Sequence, residues 1–125
     1  RVTMKLVIEG KTPSKKNSRN IFVRNGRIVN VPSKLYKEWH EYAMIQLKQQ
    51  FKNLQVAGYP IAIDVIIYYG TKHRHDLDNA LGSIMDALVD AEVIADDDVT
   101  HISQISIQHG GLDRDKPRAE IFLED

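Results

Sequence analysis

The sequence predicts an α+β fold, a mixed β-sheet with two main helices packed on it. Three observations predict it. Several short runs of β-forming residues are bounded by Gly, Pro or Asn; two longer segments carry apolar residues at helical spacing; and one Asn-Gly pair joins two β-forming runs. The expected order is β, ββ, α, β, α, β, β. With 125 residues, 42% of them hydrophobic and 27% charged, a single domain spanning 1–125 is expected, large enough for its own core.

Each element has a local reason. Met4–Gly10 reads as a strand ending at glycine. Lys11–Asn20 is a loop of Pro, Ser and Asn turn chemistry, carrying Lys11, Lys15, Lys16 and Arg19. Ile21–Val31 is a hairpin, because Asn25-Gly26 supplies the two φ > 0 positions of a type I′ turn. Pro32-Ser33 opens the first helix with Ser33 as N-cap. Leu35, Trp39, Ala43, Leu47 and Phe51 recur at every fourth residue and are expected to form one buried stripe with Tyr42 beside it. Asn53–Pro60 is a connector. In Ile61–Gly70, the residues Ile61, Ile63, Val65, Ile67 and Tyr69 share one face. Ala62, Ile66 and Tyr68 make the other face largely apolar, so a central strand is expected, with Asp64 its one odd polar residue. A second helix covers roughly Leu77–Ala91, its apolar face made of Leu77, Leu81, Ile84, Met85 and Leu88. His101–Gln108 and Arg118–Glu124 are strands, separated by a turn region at Gly110-Gly111.

Composition excludes several classes. There is no cysteine, hence no disulfide and no Cys-ligated zinc, which fits a reducing cytoplasm. No apolar run reaches transmembrane length and no signal-peptide pattern occurs, so no membrane partner is expected. Arg1–Thr3, ahead of Met4, are expected to lie outside the natural chain. Net charge is zero, but residues 1–52 carry twelve Lys/Arg and three Asp/Glu, leaving five and fourteen for the remainder. Such asymmetry suits either internal neutralisation on folding or a polyanionic partner.

The acids concentrate around the second helix. Asp76, Asp78, Asp86, Asp90, Glu92, Asp96, Asp97 and Asp98 follow one another with no Lys or Arg between them. Asp76 and Asp78 open the helix, where acids cap and offset its dipole. They also have the spacing to present two carboxylates outward around Leu77. If the Asp97 loop reaches them, three carboxylates share a patch. Their repulsion would be relieved by a divalent cation with hard oxygen ligands, Mg²⁺ being the natural choice. Such a site suits phosphodiester hydrolysis. Cations for a phosphate backbone stand nearby in sequence: Lys11, Lys15, Lys16 and Arg19 on one loop, Lys72 and Arg74 just before the acids, and Arg24 and Arg27 at the hairpin turn. His73 and His75 have metal-ligand spacing, though histidines in a basic stretch serve phosphate or solvent more often. His40, His101 and His109 read as structural. Tyr68 and Tyr69, at a strand end near the acids, could touch a nucleic acid or pack in the core.

RHDLDNALGSIMDALVDAEVIADDDV resembles the core signature of the RusA-type Holliday-junction resolvases: Asp-Leu-Asp-Asn at a helix start, an apolar helix with Asp-Ala-Leu, then a short loop with an Asp-Asp pair. TPSKKNS resembles that family's Pro-Ser-x-x-Asn loop. The resemblance implies a RusA-like fold and a homodimeric endodeoxyribonuclease that binds four-way DNA junctions and makes paired nicks with Mg²⁺ or Mn²⁺. It assigns metal-binding and catalytic roles to Asp76, Asp78 and Asp97, with Asp96 an alternative should the register slip by one. Asn79 matches the signature's Asn, expected to cap the helix or orient a carboxylate. DNA contacts are expected from Lys15, Lys16, Arg19, Lys72 and Arg74.

One position departs from the pattern. The family's helix usually carries a catalytic lysine one turn after Asp-Leu-Asp-Asn, and here that position is Gly82. Either another cation, from Lys72, Arg74 or Lys16, takes its place, or the protein binds DNA junctions without cutting them well. A third reading, a phosphohydrolase of small nucleotides, lacks the glycine-rich phosphate loop it would need.

Overall fold

In the computed structural model, residues 3–14, 19–51 and 58–125 are described, those of 19–22 and 29–32 by their backbone alone. The elements, in chain order, are β1 (Thr3–Glu9), β2 (Arg19–Arg24), β3 (Arg27–Pro32), α1 (Lys34–Gln50), β4 (Ile61–Tyr69), α2 (Leu77–Asp90), β5 (Ile102–Leu112) and β6 (Arg118–Glu124). The order matches the sequence expectation, and β1 already begins at Thr3, ahead of Met4. No helix among the described residues is long and apolar enough to cross a membrane.

Four strands form one mixed sheet in the order β1-β6-β4-β5, and β2 pairs with β3 as a separate hairpin. The β4 strand is central, as its two apolar faces require, running antiparallel to β6 and parallel to β5. A parallel pair needs a crossover, and α2 is that crossover. The alternating pattern of β4 buries Ile61, Ile63, Val65, Ile67 and Tyr69 on the helix-covered face. Met4, Leu6 and Ile8 of β1 and Ala119, Ile121 and Leu123 of β6 extend that face, and Trp39, Ala43, Leu47, Ala80, Ile84, Met85, Ala87 and Leu88 close it from the helices. Each large apolar side chain so buried contributes about 1.5–3 kcal/mol. On the opposite face, Arg118 lies 4.1 Å over the Tyr68 ring and donates to Asp113 and Glu120, while Asp64 accepts from Ser106 Oγ.

The two ends of the sheet are treated differently. Along the free edge of β1, the Gln50 side chain accepts from Val7 N–H at 2.7 Å and donates to Val7 C=O at 2.6 Å. Gln46 accepts from Glu9 N–H at 2.8 Å. Helix α1 thereby satisfies backbone groups that would otherwise template another strand. The β5 strand, at the other end, is largely solvent-exposed over 11 residues and pairs with β4 alone.

Three sequence expectations need correction. Leu35 is 77% exposed and Tyr42 50% exposed, so the buried stripe of α1 is Trp39, Ala43 and Leu47. A stripe every fourth residue drifts around a helix of 3.6 residues per turn, and its first member has rotated off the core. Gly110-Gly111 is not a turn but part of β5, at a register irregularity beside Tyr68. The connection to β6 is instead Asp113–Pro117, where the Asp113 side chain accepts from Lys116 N–H and pairs with Arg118. The hairpin turn is as expected, with positive φ at both Asn25 and Gly26.

A Cβ at Gly110 would meet the Tyr68 ring at 2.6 Å and Ile66 Cγ2 at 2.7 Å. Gly110→Ala is therefore expected to destabilise the fold by about 1–3 kcal/mol through overpacking, read as a fall in the urea midpoint at unchanged m-value.

Candidate active-site cleft at the head of the second helix

The site follows from the direction of the chain. At Tyr69 the central strand ends, residues 70–76 lead across its carboxyl end, and α2 starts at Leu77. Open α/β sheets bind ligands at such strand ends. A cleft of about 360 Å³ lies there, lined by Lys11, Thr12, Pro13 and Ser14 from the first loop, Ser33, Leu35 and Tyr36 from the start of α1, and Tyr69, Arg74, His75, Asp76 and Ala80. The loop is held against α2 by Ser83, which is fully buried and donates from Oγ to Pro13 C=O at 2.7 Å. Thr12 is 3% exposed, and its hydroxyl has no hydrogen-bond partner among the described residues.

Asp76 occupies the N-cap position of α2, yet its side chain makes no capping bond. The helix start is closed by backbone alone, with Ala80 N–H on Asp76 C=O at 3.1 Å. The Asp76 carboxylate instead accepts from Asn79 Nδ2 at 3.5 Å and lies 3.9 Å from Arg74 Nε. Asn79 thus orients a carboxylate rather than capping the helix. Behind Asp76 the His75 ring stacks on Tyr69, with centroids 3.6 Å apart and planes within 4°. Burial, then the charges of Lys11, His73 and His109, lowers the His75 pKa. Burial and then Asp76 raise that of Tyr69. Tyr69 is both core and cleft wall, so the two readings of it from sequence are compatible.

The remaining acids are largely accounted for by local bonds. Asp86 accepts from Tyr36 Oη at 3.0 Å, and Asp90 pairs with His40 Nε2 at 2.8 Å, tying α2 to α1. Asp96 accepts from Asp97 N–H at 2.8 Å. Asp98 is bound by Thr100 and by His101 Nδ1 at 2.6 Å. The side chains of Asp78, Glu92 and Asp97 have no such partner among the described residues.

The structure brings Asp76 and Asp78 together and leaves Asp97 apart. Because β5 runs parallel to β4, its start lies beside the start of β4, with Ile61 paired to Ile102 and Ile61 N–H bonded to His101 C=O. The Asp96–Asp98 loop therefore sits at the opposite end of the sheet from Asp76. Between them runs all of α2, 14 residues, or about 21 Å at 1.5 Å per residue. Among the described residues no three His, Asp or Glu side chains converge to hold a metal ion. Two uncapped carboxylates, Asp76 and Asp78, remain a donor set that suits Mg²⁺, which commonly takes one or two carboxylates and completes its shell with water and phosphate oxygens.

Among the cations expected from sequence, Arg74 lines the cleft, and Lys72 lies in the same connector without lining it. Lys15 and Lys16 lie outside the described residues, and Arg19 is described only as backbone in β2. Lys11, also named among those cations, lines the cleft, and Thr12 is a cleft residue that the sequence reading did not single out. Their position depends on the Ser83 bond, a contact across 70 residues.

A small α+β nuclease domain is the class that this fold and cleft define. The chain belongs to the RusA endodeoxyribonuclease family, whose model matches residues 11–124. It is similar to the crossover junction endodeoxyribonuclease RusA of Aquifex aeolicus (strain VF5), with 29% identity over 89 residues, covering 71% of this chain and 68% of that protein.

The hydrogen bonds from Thr100 and then His101 lower the Asp98 carboxyl to about 2. They favour the ionised form, so their contribution to the loop is complete above the unfolded carboxyl value of about 3.9 and is lost as pH falls through about 2. An NMR titration of the Asp98 carboxyl is expected to find that low midpoint, and Thr100→Val is expected to move it upward; an ordinary midpoint in both proteins would contradict the assignment.

Proposed function

We propose that this chain is a metal-dependent, structure-specific endodeoxyribonuclease that binds four-way (Holliday) junctions and resolves them by paired phosphodiester hydrolysis, in DNA recombination and repair. The observation that carries this reading is Asp76, with no capping bond from its side chain, in a cleft lined by Lys11, Arg74 and hydroxyl groups, with Asp78 in the first turn of the helix that follows, in a member of the RusA endodeoxyribonuclease family. The crossover junction activity for which the Aquifex relative is named points the same way.

Asp76 and Asp78 hold Mg²⁺, with Mn²⁺ as a substitute; Asp97 stands at the far end of α2 in the same chain and would serve as third acid only from the other protomer of the homodimer. The free carboxylate of Asp97, beside an Asp96 turned onto a backbone amide and an Asp98 held by Thr100 and His101, favours Asp97 over Asp96. When bound, the metal polarises a phosphoryl oxygen and lowers the pKa of attacking water. Asn79 holds the Asp76 carboxylate in position. The stacked Tyr69–His75 pair walls the inner end of the cleft. Lys11 and Arg74 supply the positive charge that Gly82 cannot, and Lys15, Lys16, Arg19 and Lys72 contact backbone phosphates. The protein works as a homodimer, since two opposed strands are cut, and in the cytoplasm.

Gly82, inside α2, motivates a rival reading, a junction-binding protein with little turnover. One assay separates them: a labelled four-way junction and a linear duplex, each with and without Mg²⁺. Junction-selective paired nicks are expected, falling by at least about 10²-fold in Asp76→Asn and Asp97→Asn, the scale of losing one preorganised charge-stabilising group. Asp96→Asn should fall far less. Tight junction binding with no cleavage in either metal would leave the binding protein, and equal cutting of the duplex would defeat junction specificity. Gly82→Lys raising the rate strongly would show that Lys11 and Arg74 do not replace the missing lysine.

A further inference from the structure

We infer that the tip of the β2–β3 hairpin is a DNA wedge: Val23 and Ile28 enter the base stack of a bound junction at its branch point, while Arg24 and Arg27 hold the phosphates beside it. The inference rests on the branched DNA substrate of the nuclease reading above and adds a contact that opens that substrate.

The tip of this hairpin stands clear of the core. Strands β2 and β3 pair with each other and with none of the four strands of the main sheet. Val23 is 71% and Ile28 78% exposed, among the most exposed large apolar side chains described. The two are direct cross-strand partners, so they share one side of the ribbon and make a single apolar knob. A lone exposed aliphatic residue is ordinary; a matched pair on a projecting ribbon leaves apolar area in water on both strands at once. The two-residue turn, with positive φ at Asn25 and Gly26, fixes the register that holds the pair together.

The next pair toward the turn is Arg24 with Arg27, both exposed. Like charges set directly opposite each other destabilise a hairpin, and an anion beside them removes that cost. The tip therefore has two features that are unfavourable in water alone, and a nucleic acid relieves both. Phosphates neutralise the arginines, and an opened base step covers the aliphatic pair. Small apolar wedges of this kind unstack a step and bend the duplex.

Position agrees. The hairpin is inserted between Lys11–Ser14 and Ser33–Tyr36, two segments that supply cleft-lining residues. Each arm has six residues, about 20 Å of chain at 3.3 Å per residue. DNA seated in the cleft thus has neighbouring base steps within the span of the hairpin. At a branch point the continuous stack is already interrupted, so prying a step apart costs least there.

Fluorescence of 2-aminopurine, which stacking quenches, tests the wedge. The probe is placed at the branch point of one four-way junction and well inside an arm of another, and binding is followed without metal so that no strand is cut. With the wild-type protein the branch-point probe is expected to brighten and the arm probe to stay quenched. Val23→Ser/Ile28→Ser, at two exposed positions, should bind with the same salt dependence and lose the brightening; Val23→Leu/Ile28→Leu should keep it. Arg24→Gln and Arg27→Gln should each lower the salt slope of binding by about 1. Brightening that survives the double serine change would overturn the inference. So would a double serine protein whose DNA signal is intact but whose oligomeric state has changed, which would make the pair an interface between copies of the chain. Binding and cleavage are read separately. A protein that cuts junctions without brightening the probe refutes the wedge alone, whereas one that brightens it and cuts nothing in Mg²⁺ or Mn²⁺ refutes the nuclease reading alone.

Discussion

The parallel pairing of β4 with β5 is the constraint from which the rest of the site follows. Parallel neighbours cannot be joined by a hairpin, so the chain must return across the sheet, and α2 makes that return. The helix must begin where β4 ends and finish where β5 begins. Its inner face is set by Ala80, Ile84, Ala87 and Leu88, all buried against the sheet. At about 1.5–3 kcal/mol for each large side chain, this packing outweighs the repulsion of exposed acids at the two ends, which solvent and salt screen. Acids can therefore collect at both ends of α2 without unseating it. Asp86 and Asp90, in its body, are bonded to Tyr36 and His40 of α1.

Much of this was legible in the sequence because it depends on near neighbours. The Asn25-Gly26 turn, the Ser33 cap and the two-faced apolar pattern of β4 are local signals, and all three appear where they were expected. Gly110-Gly111 misled because glycine marks both turns and close approach; here it makes room for the Tyr68 ring, a packing fact that no local rule contains. Asp97 is the instructive case. Helix length and loop length were readable, but whether the loop ends near or far from Asp76 depends on the sense of β5 against β4. That sense is a long-range property. Once it is known, the separation of the acids follows at once.

The two sheet edges carry a second asymmetry. Gln46 and Gln50 lie one helical turn apart on α1, which places their amides against alternate residues of β1, Val7 and Glu9. A side-chain amide has the donor and acceptor of a peptide unit, so the pair imitates a neighbouring strand and closes that edge. Among the described residues no comparable cover protects β5, although it is the longer strand. An unprotected edge of 11 residues is a liability unless something pairs with it. Protecting one edge while leaving the other open confines strand addition to one side of the sheet.

Gly82 and Ser83 bear on where positive charge comes from. A glycine inside a helix costs about 1 kcal/mol relative to alanine, and it gives α2 no cation to offer. The next residue, Ser83, is buried and bonded to the carbonyl of Pro13, so this turn of the helix is where the first loop docks. Docking the loop brings Lys11 to the cleft that Arg74 also lines. The helix thus exchanges a charged side chain of its own for a loop that carries one. The charge then comes from a loop rather than from the helix itself, and the placement of Lys11 depends on Ser83 as well as on the loop's own sequence.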